Sequence, residues 1–187
     1  VYNMGEYPSR EPWKPEEYDE EELDRLKAHG IQLVHVMDEW NDRYGLFGND
    51  KLTAVNPEGF RRFVAMVHQR GMKILAYASS GYFAAHDPNY RAEWSRPGDA
   101  IPGWWDFARC APASPGWRAF FLPRMVQILE DYELDGLYND WGYVRNAERR
   151  ITENAPDEVA AFEETPEYDG AVTDLLYLIY SEVKRRG

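Results

Sequence analysis

Three runs, "IQLVHVM" at 31–37, "MKILAYAS" at 72–79 and "LDGLYND" at 134–140, decide the fold of this chain. Each is short, strongly apolar and of strand length, and each follows a stretch with helical periodicity. The first such stretch, "PEEYDEEELDRLKAHG" at 15–30, is acidic in its early turns, carries Leu23 and Leu26 on one face and stops at Gly30. The second runs from Asn56 to Gly71, with Asn56 as cap, Pro57 at the first helical position and Phe60, Phe63, Val64 and Val67 at 3–4 spacing. Ser114 and Pro115 open the third by the same logic. It carries Trp117, Phe120, Phe121, Met125, Ile128 and Leu129 before Asp131, and Pro123 within it predicts a kink or a break. A fourth helix is expected over Gly170–Arg186, with Val172, Leu175, Leu176, Ile179 and Val183 along one face.

Apolar strands separated by helices are the pattern of right-handed βαβ units and a parallel sheet. A further strand is expected near "VYNM" at the N-terminus. The fold class is therefore α/β, parallel (β/α) units forming a partial TIM barrel of about four βα units, since a complete barrel takes roughly 250 residues. A flavodoxin-like or Rossmann sheet is disfavoured, because no Gly-rich phosphate loop opens any of the helices. The chain opens at Val1 and closes at Gly187 after "KRRG", so residues 1–187 are read as the N-terminal half of a (β/α)8 catalytic barrel, a fragment of a longer protein.

The connections are asymmetric. Helix-to-strand joins are a few residues ("AHGIQ", "QRGMK", "YELDG"), whereas the strand-to-helix stretches are long, aromatic and acidic, as in "EWNDRYGLFG" and "RPGDAIPGWWDF". In a βα barrel the latter gather at the carboxyl face, where the active site lies.

A net charge of −12 sets the chain against nucleic-acid phosphates and anionic lipid, so neither nucleic acid nor membrane is an expected partner. No apolar run approaches the roughly 18 residues of a membrane span. The lone Cys110 makes no internal disulfide, and His29, His35, His68 and His86 repeat no zinc-ligand spacing, so neither a metal nor an organic cofactor is expected. Aromatic residues reach 15 %, with seven Trp and thirteen Tyr, a composition suited to stacking on sugar rings as well as to core packing.

Carboxylates at strand ends carry the chemistry. Asp140 ends the fourth strand, and Asp38 and Glu39 end the second. Alternation puts Gly136, Tyr138 and Asp140 on one face, and only one of Asp38 and Glu39 shares the equivalent face of its strand. Glycosidases work with paired carboxylates around an oxocarbenium-like transition state. Tyr77, at the end of the third strand, and Ser79 beside it are pocket candidates, while Trp40, Trp104, Trp105 and Trp141 lie in carboxyl-side loops and suit sugar stacking. His35, between Val34 and Val36, reads as a hydrogen-bonded core residue. Cys110 reads as a small buried hydrophobe and "HDPN" at 86–89 as turn chemistry.

The stretch from Val34 to Ser79, with Asp38-Glu39-Trp40, Pro57-Glu58-Gly59-Phe60 and His68-Gln69-Arg70-Gly71-Met72-Lys73, resembles the retaining alpha-galactosidase-type (clan D) glycoside hydrolases. "DGLYND" at 135–140 is similar to the family's pattern Asp-Tyr-(apolar)-Lys-x-Asp, whose last Asp is the nucleophile. The resemblance implies Asp140 as that nucleophile, with Asp38, Glu39, Trp40, Tyr77, Tyr138 and Trp141 toward a carbohydrate substrate. It implies an acid/base on a later strand, in the remaining half of the barrel, so that the isolated fragment is inactive. The family's substrate-binding Lys falls on Tyr138 here, so the resemblance carries the superfamily and not the alpha-galactosidase specificity. "SPGWRAFFLPRM" at 114–125 with "DGLYNDWGY" at 135–143 also resembles uncharacterised glycosidase-like barrels. The competing reading is a non-catalytic carbohydrate-binding or scaffolding barrel. A metal-dependent or isomerase barrel would need His or Lys ligands at strand ends, and of the histidines only His35 lies in a strand, in its middle.

Overall fold

The computed structural model describes residues 1–4, 15, 17–37, 40–41, 52–95, 100–101, 107–140 and 166–186. In chain order its elements are β1 (Tyr2–Met4), α1 (Glu17–Ala28), β2 (Leu33–Val36), α2 (Pro57–Gln69), β3 (Lys73–Ser79), β4 (Tyr82–Ala84), β5 (Ala100–Ile101), β6 (Phe107–Arg109), α3 (Pro115–Asp131), β7 (Gly136–Asp140) and α4 (Pro166–Arg186). Four strands pair in parallel in the order β1-β2-β3-β7, each beside its predecessor in the βα series. This is the sheet of a partial barrel, open at β1 and β7 among the described residues.

The local chemistry of the helix ends follows the sequence. Asn56 Oδ1 accepts from the Gly59 amide at 3.0 Å, and Ser114 Oγ from the Trp117 amide at 3.3 Å, each with a proline opening the helix. Gly30 and Gly71 turn the chain into β2 and β3 at φ +81° and +62°, the left-handed region that a side chain resists. The break anticipated at Pro123 is absent, and α3 runs continuously through it. Ala119, whose carbonyl loses its partner to the proline, is exposed, as is Pro123 itself, so water can take the freed acceptor. Helix α4 begins at Pro166, ahead of the expected Gly170. Among the described residues no helix is long and apolar enough to cross a membrane.

Alternation along the strands divides the sheet into two chemically distinct faces. Val34, Val36, Ile74 and Ala76 turn toward the helices and join Leu23 of α1, Phe60, Phe63, Val64 and Val67 of α2, Trp117, Phe121, Met125 and Ile128 of α3, and Leu175 and Ile179 of α4 in one core. His35, Leu75, Tyr77, Tyr138 and Asp140 occupy the alternate positions, on the face away from that core.

The segment between β3 and α3, read from sequence as loop, contains a small antiparallel sheet in the order β4-β6-β5. Phe83 anchors it by edge contacts to Trp94, Phe120 and Trp117 with ring centroids 5.6, 5.3 and 5.8 Å away. Cys110 is buried there, as a small hydrophobe. At the opposite end of the barrel strands, Asp135 Oδ2 accepts from the Ile74 amide at 2.8 Å and meets His68 Nε2 at 2.9 Å, while Lys73 Nζ lies 3.3 Å from Oδ1. Burial, the largest single influence, pushes the Asp135 carboxyl up, but the Ile74 amide, His68 and Lys73 together hold it below the ordinary carboxylate value. The amino-terminal ends of βα-barrel strands serve stability, and Asp135 ties β7, β3 and α2 together there.

Candidate active site

The carboxyl ends of β3 and β7 meet in register, Tyr77 opposite Tyr138 and Ser79 opposite Asp140. Asp140 is the last residue of β7, and the Tyr77 hydroxyl donates to its Oδ2 at 2.8 Å. The bond is diagonal, reaching two residues up the neighbouring strand, so the phenol fixes the carboxylate's orientation. The Tyr77 and Tyr138 rings lie 6.0 Å apart at 27°, and Tyr138 keeps 46 % of its surface exposed. At Gly136, two residues before Tyr138, a Cβ would come within 2.9 Å of Leu75 Cδ2, so a side chain there requires the leucine to shift.

The end of β3 is held from several directions. Trp40 Nε1 donates to the Tyr77 carbonyl at 2.8 Å, and Asn41 Nδ2 to the same oxygen at 3.4 Å. Trp117 Nε1 donates to the Ser80 carbonyl at 2.8 Å, and the Ser80 amide donates to Asn139 Oδ1 at 3.0 Å. Ser79 Oγ accepts from the Tyr82 amide at 3.1 Å, turning the chain into β4. Tyr77 therefore stands on a backbone whose carbonyls are locked by two indoles, the kind of support that keeps a site residue in one rotamer.

Two sequence expectations are corrected. Trp40, expected to border a sugar, is fully buried, stacked on Phe60 at 4.8 Å and edge-on to Tyr132 at 6.0 Å. Stacked on Phe60 and bonded to the Tyr77 carbonyl, the indole anchors β3 against α2. His35, expected to be a hydrogen-bonded core residue, is buried at 7 % exposure on the face away from the main core. Its Nε2 is enclosed, and neither ring nitrogen has a hydrogen-bond partner among the described residues. Leaving such a nitrogen unmade costs on the order of 1–3 kcal/mol. Its ring reaches over β3 to lie 4.4 Å from that of Tyr138 at 35°, and burial pushes the imidazole below its ordinary value, toward the neutral form. The signal was present in the sequence: parity sets His35 opposite to Val34 and Val36, and so with Leu75 and Tyr77 rather than with the core.

Asp38, Glu39 and Trp141, together with Trp104 and Trp105, lie outside the described residues. Asp87 accepts the Asn89 amide at 2.7 Å, as turn chemistry requires. Among the described residues no three His, Cys, Asp or Glu side chains gather to hold a metal.

No family model and no curated protein matches this chain. Solved structures do. An alpha-galactosidase from Lactobacillus brevis superposes with a TM-score of 0.61 at 17 % identity over 93 % of this chain and 24 % of its own. A noncanonic maltogenic alpha-amylase, AmyB from Thermotoga neapolitana, gives 0.58 at 18 % identity over 79 % of this chain and 40 % of its own. Aspergillus fumigatus Ega3, solved with galactosamine, gives 0.50 at 13 % identity over 99 % of this chain and 53 % of its own. The chain thus spans from about a quarter to about half of these proteins. At such identities the likeness is one of fold: the chain has a parallel βα architecture like that of part of each of these proteins.

Proposed function

We propose that this chain is the N-terminal half of the catalytic barrel of a glycoside hydrolase, with Asp140 as nucleophile. The observation that carries the reading is the pairing of Asp140 with the Tyr77 hydroxyl at the carboxyl end of two adjacent parallel strands, on the face away from the helices. That is where βα-barrel enzymes place their catalytic groups. The fold shared with an alpha-galactosidase and an alpha-amylase supports the same class of chemistry. The edges at β1 and β7, unpaired among the described residues, and the exposed Leu176, Tyr177 and Tyr180 of α4 fit a sheet and helix layer that further βα units complete.

In this reading an Asp140 oxygen attacks the anomeric carbon as the glycosidic C–O bond breaks, and the leaving oxygen takes its proton from an acid on a strand of the remaining half. Tyr77 orients the attacking carboxylate. The half-exposed Tyr138 ring supports the apolar face of the sugar, with Asp38, Glu39 and Trp141 contributing to the same mouth. The test is a survey of the full-length polypeptide against α-galactosides and α-glucans. Release of reducing sugar supports the reading, whereas saturable sugar binding with no turnover at any pH contradicts it and favours a non-catalytic carbohydrate-binding barrel.

A further inference from the structure

Among the described residues, the sheet face away from the core carries a polar group that neither the fold nor the chemistry above uses. His35 is nine-tenths buried, its Nε2 is enclosed, and no hydrogen bond reaches either ring nitrogen among the described residues. Packing alone does not account for the choice of histidine. Its register neighbours are Asn3 on β1 and Leu75 on β3, the Tyr138 ring lies 4.4 Å away, and a phenylalanine or leucine would fill the same space at no polar cost. Buried polar atoms in native proteins are matched, by the chain, by water or by a ligand.

The surroundings indicate what the match is. His35, Tyr138, Tyr77 and Asp140 form one continuous wall: imidazole to phenol ring at 4.4 Å, phenol ring to phenol ring at 6.0 Å, and phenol hydroxyl to carboxylate at 2.8 Å. Tyr138, in the middle, is the exposed member. In register His35 is level with Leu75 and Gly136, so along the strands Tyr138 stands between the imidazole and the Asp140 carboxylate. Burial favours the uncharged imidazole, which presents one N–H donor and one bare nitrogen acceptor. An anion needs donors only and a cation acceptors only, whereas a hydroxyl group both donates and accepts. A hydroxyl group can meet either nitrogen of a neutral imidazole, and the C–H face of a pyranose suits the aromatic ring beside it.

We infer that His35 is a sugar-binding residue, whose ring nitrogen hydrogen-bonds a hydroxyl of a neutral pyranose lying on Tyr138. The inference rests on the glycosidase reading and extends it by naming a contact, and a class of uncharged substrate, on the side of the wall away from Asp140.

The test is carried out on the full-length polypeptide with D-galactose and with maltose as probes. Long-range 1H–15N spectra of the histidine rings report directly on His35. In the sugar-free protein its Nε2 is expected to resonate as a neutral nitrogen without a hydrogen bond, and saturation with one of the two sugars is expected to shift it. His35→Phe keeps the ring against Tyr138 and removes both nitrogens. It is expected to weaken the bound sugar about three- to ten-fold, the loss of one hydrogen bond, with thermal stability unchanged or raised. A His35 ring already hydrogen-bonded without sugar overturns the inference in favour of a trapped water or another part of the polypeptide, and so does the absence of any shift with either probe. Hydrolysis by the wild type combined with wild-type KM in His35→Phe overturns this inference alone. Absence of hydrolysis with a sugar-induced His35 shift overturns the catalytic reading and leaves the binding contact standing.

Discussion

Tyr77 donates its hydroxyl proton to Asp140 Oδ2 at 2.8 Å, diagonally across the β3–β7 pairing in which Tyr77 itself faces Tyr138. Two side chains 63 positions apart in the chain are thus brought together by strand register alone. Their alignment depends on Lys73–Ser79 and Gly136–Asp140 pairing without slip, since a one-residue shift would turn Asp140 into the helix layer. Replacing Tyr77 by Phe keeps the ring and removes the proton that fixes the carboxylate. Steady-state kinetics of the full-length Tyr77→Phe variant should show kcat lowered about tenfold, with KM nearly unchanged and a far-UV spectrum like wild type.

Trp40 separates a structural from a ligand-facing role. Its burial against Phe60 and its bond to the Tyr77 carbonyl make Trp40→Ala a core deletion, expected to cost about 3–5 kcal/mol. Urea denaturation should show this loss directly. A variant with wild-type stability and selectively weakened sugar binding would return Trp40 to the ligand-binding set.

Asp135 links the fold to pH. Its carboxyl is held below the ordinary value in the folded state, so the ionised form stabilises the fold above the unfolded pKa, near about 4. That contribution disappears as pH falls through the lowered folded value. At neutral pH Asp135→Ala should be less stable by about 2 kcal/mol, having lost charge-assisted bonds to the Ile74 amide, His68 and Lys73. The gap between the denaturation midpoints of wild type and variant, followed from pH 7 into acid, should narrow as pH falls below the unfolded value. A difference that stays constant over the range would assign the loss to packing instead.

The fold was legible because the strands are apolar and the helices carry their own punctuation. Asn56-Pro57, Ser114-Pro115, Gly30 and Gly71 mark ends by chemistry that tertiary contacts do not override. The antiparallel β4-β6-β5 sheet was not legible, because strands of two or three residues give no period to read and are fixed instead by Phe83 and its aromatic neighbours. Parity along β7 gave the relation of Tyr138 to Asp140. Alternation with Val34 and Val36 likewise held the position of His35, though not its lack of a hydrogen bond at Nε2. Trp40 could not be read as core from sequence, since whether a strand-end indole faces a cavity or a helix depends on the path of the loop and on Phe60, 20 positions further along the chain.

The proposed function rests on the Asp140 carboxylate as the nucleophile of a glycosidase. The most direct measurement is turnover by the full-length Asp140→Asn variant, on whichever glycoside the wild type hydrolyses. The substitution is isosteric and leaves an acceptor for the Tyr77 hydroxyl, so the fold and most of the sugar affinity should persist while kcat falls by about a thousandfold or more. Turnover within a few-fold of wild type, with the substitution verified and the protein folded, would contradict the assignment of Asp140.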